Sequence, residues 1–163
     1  MSEAVSKPAN VSVLFVCLGN ICRSPTAHGV FEALAENQGV DVYVDSCGTG
    51  SWHVGEPPDT RATAEAAQRG YDLSPLRARQ VSARDFSTFD YILAMDEQNL
   101  SDLEQMRPGD FAGHLGLFLD FAPNPGRREV PDPYYGGPRG FAEVLDLVEA
   151  ASAGLLDDIA GAR

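Results

Sequence analysis

The chain has 163 residues, 44% of them hydrophobic and 22% charged, with a formal net charge of −12. That length suits one domain with a sizeable core and leaves no room for a second. The acidic excess argues against nucleic acid and anionic membrane surfaces as partners, and no apolar run nears the ~20 residues of a membrane span.

Met1–Asn10 has Lys7 as its one cation and no apolar core, so it reads as a flexible tail rather than a signal peptide, ahead of a domain at 11–163. Val11–Val16 is too short for a core helix and rich in β-branched residues, which predicts a buried strand. Next come Cys17-Leu18-Gly19-Asn20-Ile21-Cys22-Arg23-Ser24-Pro25. Ser24 can serve as a helix N-cap, and Pro25 fits the first helical position, so this loop opens a helix. Orphan N–H groups and the positive end of the helix dipole make such a place an anion site, and the same field favours a thiolate at Cys17. Arg23 adds a planar fork able to clasp two phosphoryl oxygens.

Helical spacing of Ala27, Val30, Phe31 and Leu34 runs from Pro25 to Gln38, with Gly39 as a stop, and Val40–Ser46 alternates as a second strand. Gly48 and Gly50 in the following Cys47–Gly55 stretch lack the third glycine and the direct helix of a dinucleotide fingerprint. Asp59–Arg69 reads as a helix ended by Gly70, and Tyr71–Ser87 is turn-like and mixed, its Arg77, Arg79 and Arg84 solvated or paired with acids such as Asp85. Phe89–Met95 is a third strand, Asp96 caps a helix that ends before Pro108, and His114–Leu119 is a fourth strand. Five prolines and three glycines between Asp120 and Pro138 predict a long stiff loop, of the kind that carries function. From Pro138 onward Phe141, Val144, Leu145, Val148, Leu155, Leu156 and Ile159 form the stripe of the longest helix, despite Gly154.

Strands alternating with helices give a single three-layer α/β domain with a small parallel sheet, whose ligands sit beyond the carboxyl ends of the strands. The loop after Cys17 lies at such an end. Within the stiff loop, Val130-Pro131-Asp132-Pro133 holds a carboxylic acid on a rigid arm, suited to protonating a leaving group; a turn-capping role is the plainer alternative.

Cys, five residues, Arg and Ser near the start, in the wording CLGNICRSP, together with Asp132-Pro133-Tyr134-Tyr135, resemble the low-molecular-weight protein tyrosine phosphatases over roughly Val11 to Ile159. The resemblance implies a four-stranded parallel sheet in the flavodoxin-like order 2-1-3-4. It implies hydrolysis of protein phosphotyrosine through a phosphocysteine on Cys17, with Arg23 and the N–H groups of Leu18, Gly19, Asn20, Ile21, Cys22, Arg23 and Ser24 on the phosphate and Asp132 as general acid and base. Trp52, His53, Tyr134 and Tyr135 would wall the pocket, although Trp52 could instead anchor its loop and the tyrosines could pack beneath theirs. Asn20 and Ser46 would hold the loop in shape, and Ser24 would either donate to the Cys17 sulfur or cap the helix. A reversible Cys17–Cys22 disulfide would protect the nucleophile, as in the family, with Cys47 a small buried residue. Leu76 stands where relatives usually have a histidine that supports the phosphate loop, which puts that support in question.

No metal or cofactor is implied. The expected partners are phosphotyrosine proteins and a tyrosine kinase, with the protein a monomer or weak dimer. Three cysteines without a framework of spacings, one of them a candidate thiolate, suit a reducing cytoplasm. An arsenate reductase on this fold would need a further cysteine pair downstream, and none follows Cys47. Phosphoarginine hydrolysis is another reading, but the related enzymes carry a threonine where this chain has Ile21; a broad acid phosphatase is a further one. A non-catalytic phosphate-binding module would not need both Cys17 and Asp132.

Overall fold

In the computed structural model the described residues are 11–122, 127–134 and 138–162. The proposed tail at 1–10 therefore lies outside them. The elements, in chain order, are β1 (Val11–Cys17), α1 (Arg23–Asn37), β2 (Val42–Gly48), α2 (Thr60–Gln68), α3 (Asp85–Thr88), β3 (Tyr91–Ala94), α4 (Glu97–Met106), β4 (His114–Leu117), a 3₁₀ turn (Phe118–Phe121) and α5 (Pro138–Ala162).

Four parallel strands lie in the order β2-β1-β3-β4. The period-two geometry of β1 sends Val13 and Phe15 to one face and Leu14 and Val16 to the other, and all four are fully buried. On the first face Phe15 meets Phe31 of α1 and Phe118 edge to face, with ring centres 5.6 and 4.9 Å apart. The apolar stripe of α5 packs into this same cluster. Leu14 and Val16 meet Phe86, Phe89, Ile92 and Leu103 on the other face. The helical stripe on α5 and the sheet order agree with the sequence reading. Among the described residues no helix is long and apolar enough to cross a membrane.

Several boundaries differ from the local reading, each for a tertiary reason. The helix α1 begins at Arg23 rather than at Pro25, with Cys22 at the N-cap position and no side-chain cap. Ser24 is not the cap because its hydroxyl is drawn inward, to Cys17 and Asn20. Strand β2 starts two residues late and runs on to Gly48, which pairs with Cys17 and bridges to Gln80. A Cβ at Gly48 would stand 2.7 Å from the Leu18 carbonyl oxygen, so only glycine lets β2 run beside the loop. The Tyr71–Ser87 stretch ends in the short α3, which runs on to Thr88, and Phe118 and Leu119 leave the sheet for the 3₁₀ turn. Gly154 interrupts the α5 stripe because that turn presses on it: a Cβ there would be 1.7 Å from the Phe121 carbonyl oxygen. Asp96 caps α4 as expected, through a capping box with Asn99, while Asp59, read as the first residue of its helix, stands just outside α2 as its cap.

Candidate active site

The loop from Cys17 to Cys22 leaves the carboxyl end of the central strand and is held by bonds that run outward. The carbonyls of Cys17 and Leu18 accept from the N–H groups of Thr49 and Gly50, both at 2.9 Å, and that of Ile21 accepts from Asp59 N–H at 2.8 Å. Thr26 Oγ1 donates to the Cys22 carbonyl at 2.7 Å. With its carbonyls engaged by neighbouring segments, the loop enters α1, where the first N–H groups have no intrahelical partner.

Asn20 sits at the turning point with φ +59°, the one non-glycine residue with positive φ among those described, and is buried. Its N–H donates to the Cys17 sulfur at 3.2 Å. The side chain ties three segments together: Nδ2 donates to Ser24 Oγ at 2.7 Å, and Oδ1 accepts from Arg79 N–H at 3.0 Å. Ser24 Oγ in turn lies 3.0 Å from the Cys17 sulfur and 3.3 Å from the Cys47 carbonyl oxygen. Two polar groups thus converge on one buried sulfur.

Arg79 can hold that position because its guanidinium is clamped in a second layer. It meets both oxygens of Asp85, at 2.9 and 3.1 Å, and Asp45 at 3.1 Å. Leu76, where a supporting histidine is expected, packs against the core instead, and Arg79 N–H is what engages Asn20. An imidazole does arrive nearby, from α1: His28 Nδ1 lies 3.0 Å from Ser46 Oγ. Burial holds the His28 pKa below its ordinary value against the opposing pull of Asp45.

Arg23 is buried to 3% exposure, and its Nη1 is committed twice, to Asp96 Oδ2 at 2.7 Å and to the Val130 carbonyl oxygen at 3.1 Å. Nη2 stands 3.7 Å from Asp132 Oδ2. Burial opposes its charge, but Cys17 and the hydrogen bond and charge of Asp96 outweigh it, and its pKa is raised. Asp96 serves two masters, since its other oxygen accepts the Asn99 N–H at 2.8 Å and caps α4.

These groups open into a cavity of about 430 Å³ lined by Cys17, Leu18, Gly19, Ile21, Cys22, Arg23, Trp52, His53, Asp132 and Tyr134. Trp52 is 71% exposed at its wall and folds over Gly50, so it is not a buried anchor. His53 bonds Glu56 at 2.9 Å and faces Tyr134, ring centres 6.5 Å apart. Asn20, Ser24 and Ser46 are buried and absent from the lining. Tyr135 lies outside the described residues.

Cys22 is buried with its pKa pushed up to about 12, first by burial and then by Asp59, Cys17 and Asp132. Burial pushes the Cys47 thiol well above the ordinary range too. All three cysteines are free thiols.

Asp96, Arg79 with Asp45 and Asp85, and His28 were not singled out as site residues from sequence. Asp96 was detectable in principle: it follows β3 directly, at the same carboxyl end that carries the Cys17 loop.

The low molecular weight phosphotyrosine protein phosphatase family model matches residues 12–162. The chain belongs to that family. It is 42% identical over 154 residues to the low molecular weight phosphotyrosine protein phosphatase of Schizosaccharomyces pombe, covering 93% of this chain and 98% of that one. The crystal structure of the Entamoeba histolytica protein tyrosine phosphatase superposes with a TM-score of 0.90 at 38% identity, covering 94% of this chain and 99% of that one. A Drosophila arginine phosphatase structure also superposes, TM-score 0.85 at 34% identity over 90% and 96% of the two chains. The protein is thus a phosphatase of a family that acts on phosphotyrosine proteins, and its sheet order is the family's.

Proposed function

We propose that the protein hydrolyses phosphotyrosine through a phosphocysteine on Cys17. The observation that carries this reading is the meeting of Cys17, Arg23 and Asp132 in one aromatic-walled cavity. Cys17 attacks phosphorus in line, an S–P bond forms, and the P–O bond to tyrosine breaks. Arg23 Nε and Nη2, left over after Nη1 is spent on Asp96 and Val130, bind the equatorial oxygens together with the loop N–H groups from Leu18 to Ser24 other than that of Asn20, which is turned to the Cys17 sulfur. Asp132, protonated at this stage, gives its proton to the departing phenolate. In the second step Asp132 takes a proton from water, the oxygen attacks phosphorus, and the S–P bond breaks to release phosphate and Cys17 as thiolate. Ser24 Oγ and Asn20 N–H, both directed at the sulfur, stabilise its negative charge as it leaves.

Trp52, His53 and Tyr134 provide flat surfaces for the substrate ring, and Ile21 adds an apolar part of the lining. Phosphoarginine is the second reading, supported by the likeness to the arginine phosphatase; an apolar Ile21 favours an aromatic ring over a guanidinium. The reading extends to a cytoplasmic protein, monomeric or weakly dimeric, that opposes a tyrosine kinase.

Mild peroxide would oxidise Cys17 to a sulfenic acid with loss of water, and the Cys22 thiol would condense with it to a disulfide, releasing a second water. Mass mapping that found Cys17 joined to Cys47, or only sulfinic acid, would overturn this step.

Hydrolysis of an aryl phosphate, a phosphotyrosine peptide and phosphoarginine, in the presence of a chelator, tests the whole. Cys17→Ser abolishes activity, and Asp132→Ala lowers it by roughly 10²–10⁴. Unchanged activity in Cys17→Ser, or faster turnover of phosphoarginine than of the peptide, would contradict the proposal.

A further inference from the structure

Asp132 rides on a chain segment whose near end is pinned to the sheet by Val130 N–H on the Met95 carbonyl, at 2.8 Å. Its far end is held by a residue that does not line the cavity. Arg61, in the first turn of α2, presents Nη2 to the Tyr134 carbonyl oxygen at 3.1 Å, and Tyr134 N–H donates to Asp132 Oδ1 at 3.1 Å. The guanidinium carbon lies 5.5 Å from the centre of the Tyr134 ring and 4.8 Å from that of Phe141, a buried residue at the start of α5.

The same guanidinium is fixed in direction by Asp59, with Nε at 3.1 Å from Oδ1 and Nη2 at 3.0 Å from Oδ2. Asp59 is itself tied to the phosphate loop, since its N–H donates to the Ile21 carbonyl oxygen. Arg61 therefore spans the two parts of the site that have to meet: the loop that holds phosphate and the arm that carries the acid. A solvent-exposed ion pair contributes little by itself. This one differs because its geometry is bidentate and its remaining contacts all fall on the acid arm and on the helix that follows it.

We propose that Arg61 is a positioning residue for the general acid, a strut that sets where the Asp132 carboxyl stands relative to the Cys17 loop. The inference rests on the reading of Asp132 as the acid. Misplacing a catalytic group by about 1 Å can cost ~10²-fold in rate. The flanking Pro131 and Pro133 and the Val130 anchor still restrain the arm without Arg61, so the loss expected is smaller, about 10-fold for a substrate that depends fully on the acid.

The test is kcat/KM for a series of aryl phosphates, from 2,4-dinitrophenyl to phenyl phosphate, with wild type, Arg61→Ala, Asp132→Asn and the double variant. A poorer leaving group needs the proton more, so a displaced acid shows as a loss that grows along the series. Arg61→Ala is expected to lose about 10-fold on phenyl phosphate and progressively less toward the dinitrophenyl ester, and to cost less than about 2-fold when Asp132 is already Asn. Alkylation of Cys17 by iodoacetate is expected at the wild-type rate in Arg61→Ala. A loss equal for all leaving groups, an undiminished loss in the double variant, or slowed alkylation would each overturn the proposal. If Asp132→Asn itself shows no dependence on the leaving group, the acid assignment falls and the strut falls with it, an outcome distinct from failure of Arg61 alone.

Discussion

Asn20→Ala is the substitution with the most to say about how the phosphate loop is built. The side chain makes one buried hydrogen bond, to Ser24 Oγ, and one part-buried, from Arg79 N–H, and the backbone holds φ at +59°. Truncation leaves Ser24 Oγ short of a donor in a buried setting, at ~1–3 kcal/mol, and Arg79 N–H without its acceptor in a half-buried one, at ~0.5–1.5 kcal/mol. Alanine in the left-handed region costs a further ~1 kcal/mol, which glycine does not. Equilibrium urea unfolding should therefore show Asn20→Ala destabilised by about 3–5 kcal/mol and Asn20→Gly by about 1 kcal/mol less. Because Ser24 Oγ and the Asn20 N–H both address the Cys17 sulfur, kcat should fall in both variants, by an amount that does not track the stability difference between them. Losses below about 0.5 kcal/mol in both would refute the claim that Asn20 organises the loop, since that is the range of ordinary surface substitutions. A more stable alanine than glycine variant would refute the argument from φ.

Cys22, with its pKa pushed up to about 12, is protonated at neutral pH, so iodoacetate at pH 7 should label Cys17 and leave Cys22 and Cys47 free; peptide mapping that found Cys22 labelled first would contradict the buried-thiol account. His28 has a folded-state pKa lowered by burial, with Asp45 acting the other way. Its neutral form therefore contributes stability that is fully present above the unfolded value of ~6.5 and is lost as pH falls through the folded one, at no more than ~1.4 kcal/mol per pH unit. Denaturation midpoints from pH 8 down to 5 should fall less steeply in His28→Gln than in wild type, and equal slopes would contradict the assignment.

What was legible in the sequence is what is local to it. The Cys17 loop, its strand and its helix follow one another without interruption, so a loop at a helix start could be read from residue type and order alone. The arm that carries Asp132 was legible as a stiff segment because the prolines on either side leave it few conformations. The α5 stripe and the cap at Asp96 come from local rules of the same kind. Ser24 shows where those rules stop: its residue type favours the N-cap, yet a buried sulfur and the Asn20 amide compete for its hydroxyl and win, and the helix starts at Arg23. Of the second layer only the Arg79–Asp85 pair, six residues apart, was legible, because the rest is made of contacts between distant segments. Arg23 reaches Asp96, Arg79 reaches Asp45, and Arg61 reaches Tyr134 only once the sheet order has brought those segments together. Trp52 is a related case, since exposure of 71% at the wall of a cavity is a property of packing rather than of composition.

A covalent phosphocysteine on Cys17 is the step on which the proposed chemistry turns. A rapid alkaline denaturing quench during turnover of a phosphotyrosine peptide, followed by mass spectrometry, should find phosphate on the peptide that carries Cys17 and on no other. Phosphate release with no labelled protein, or a label on any other residue, would contradict it.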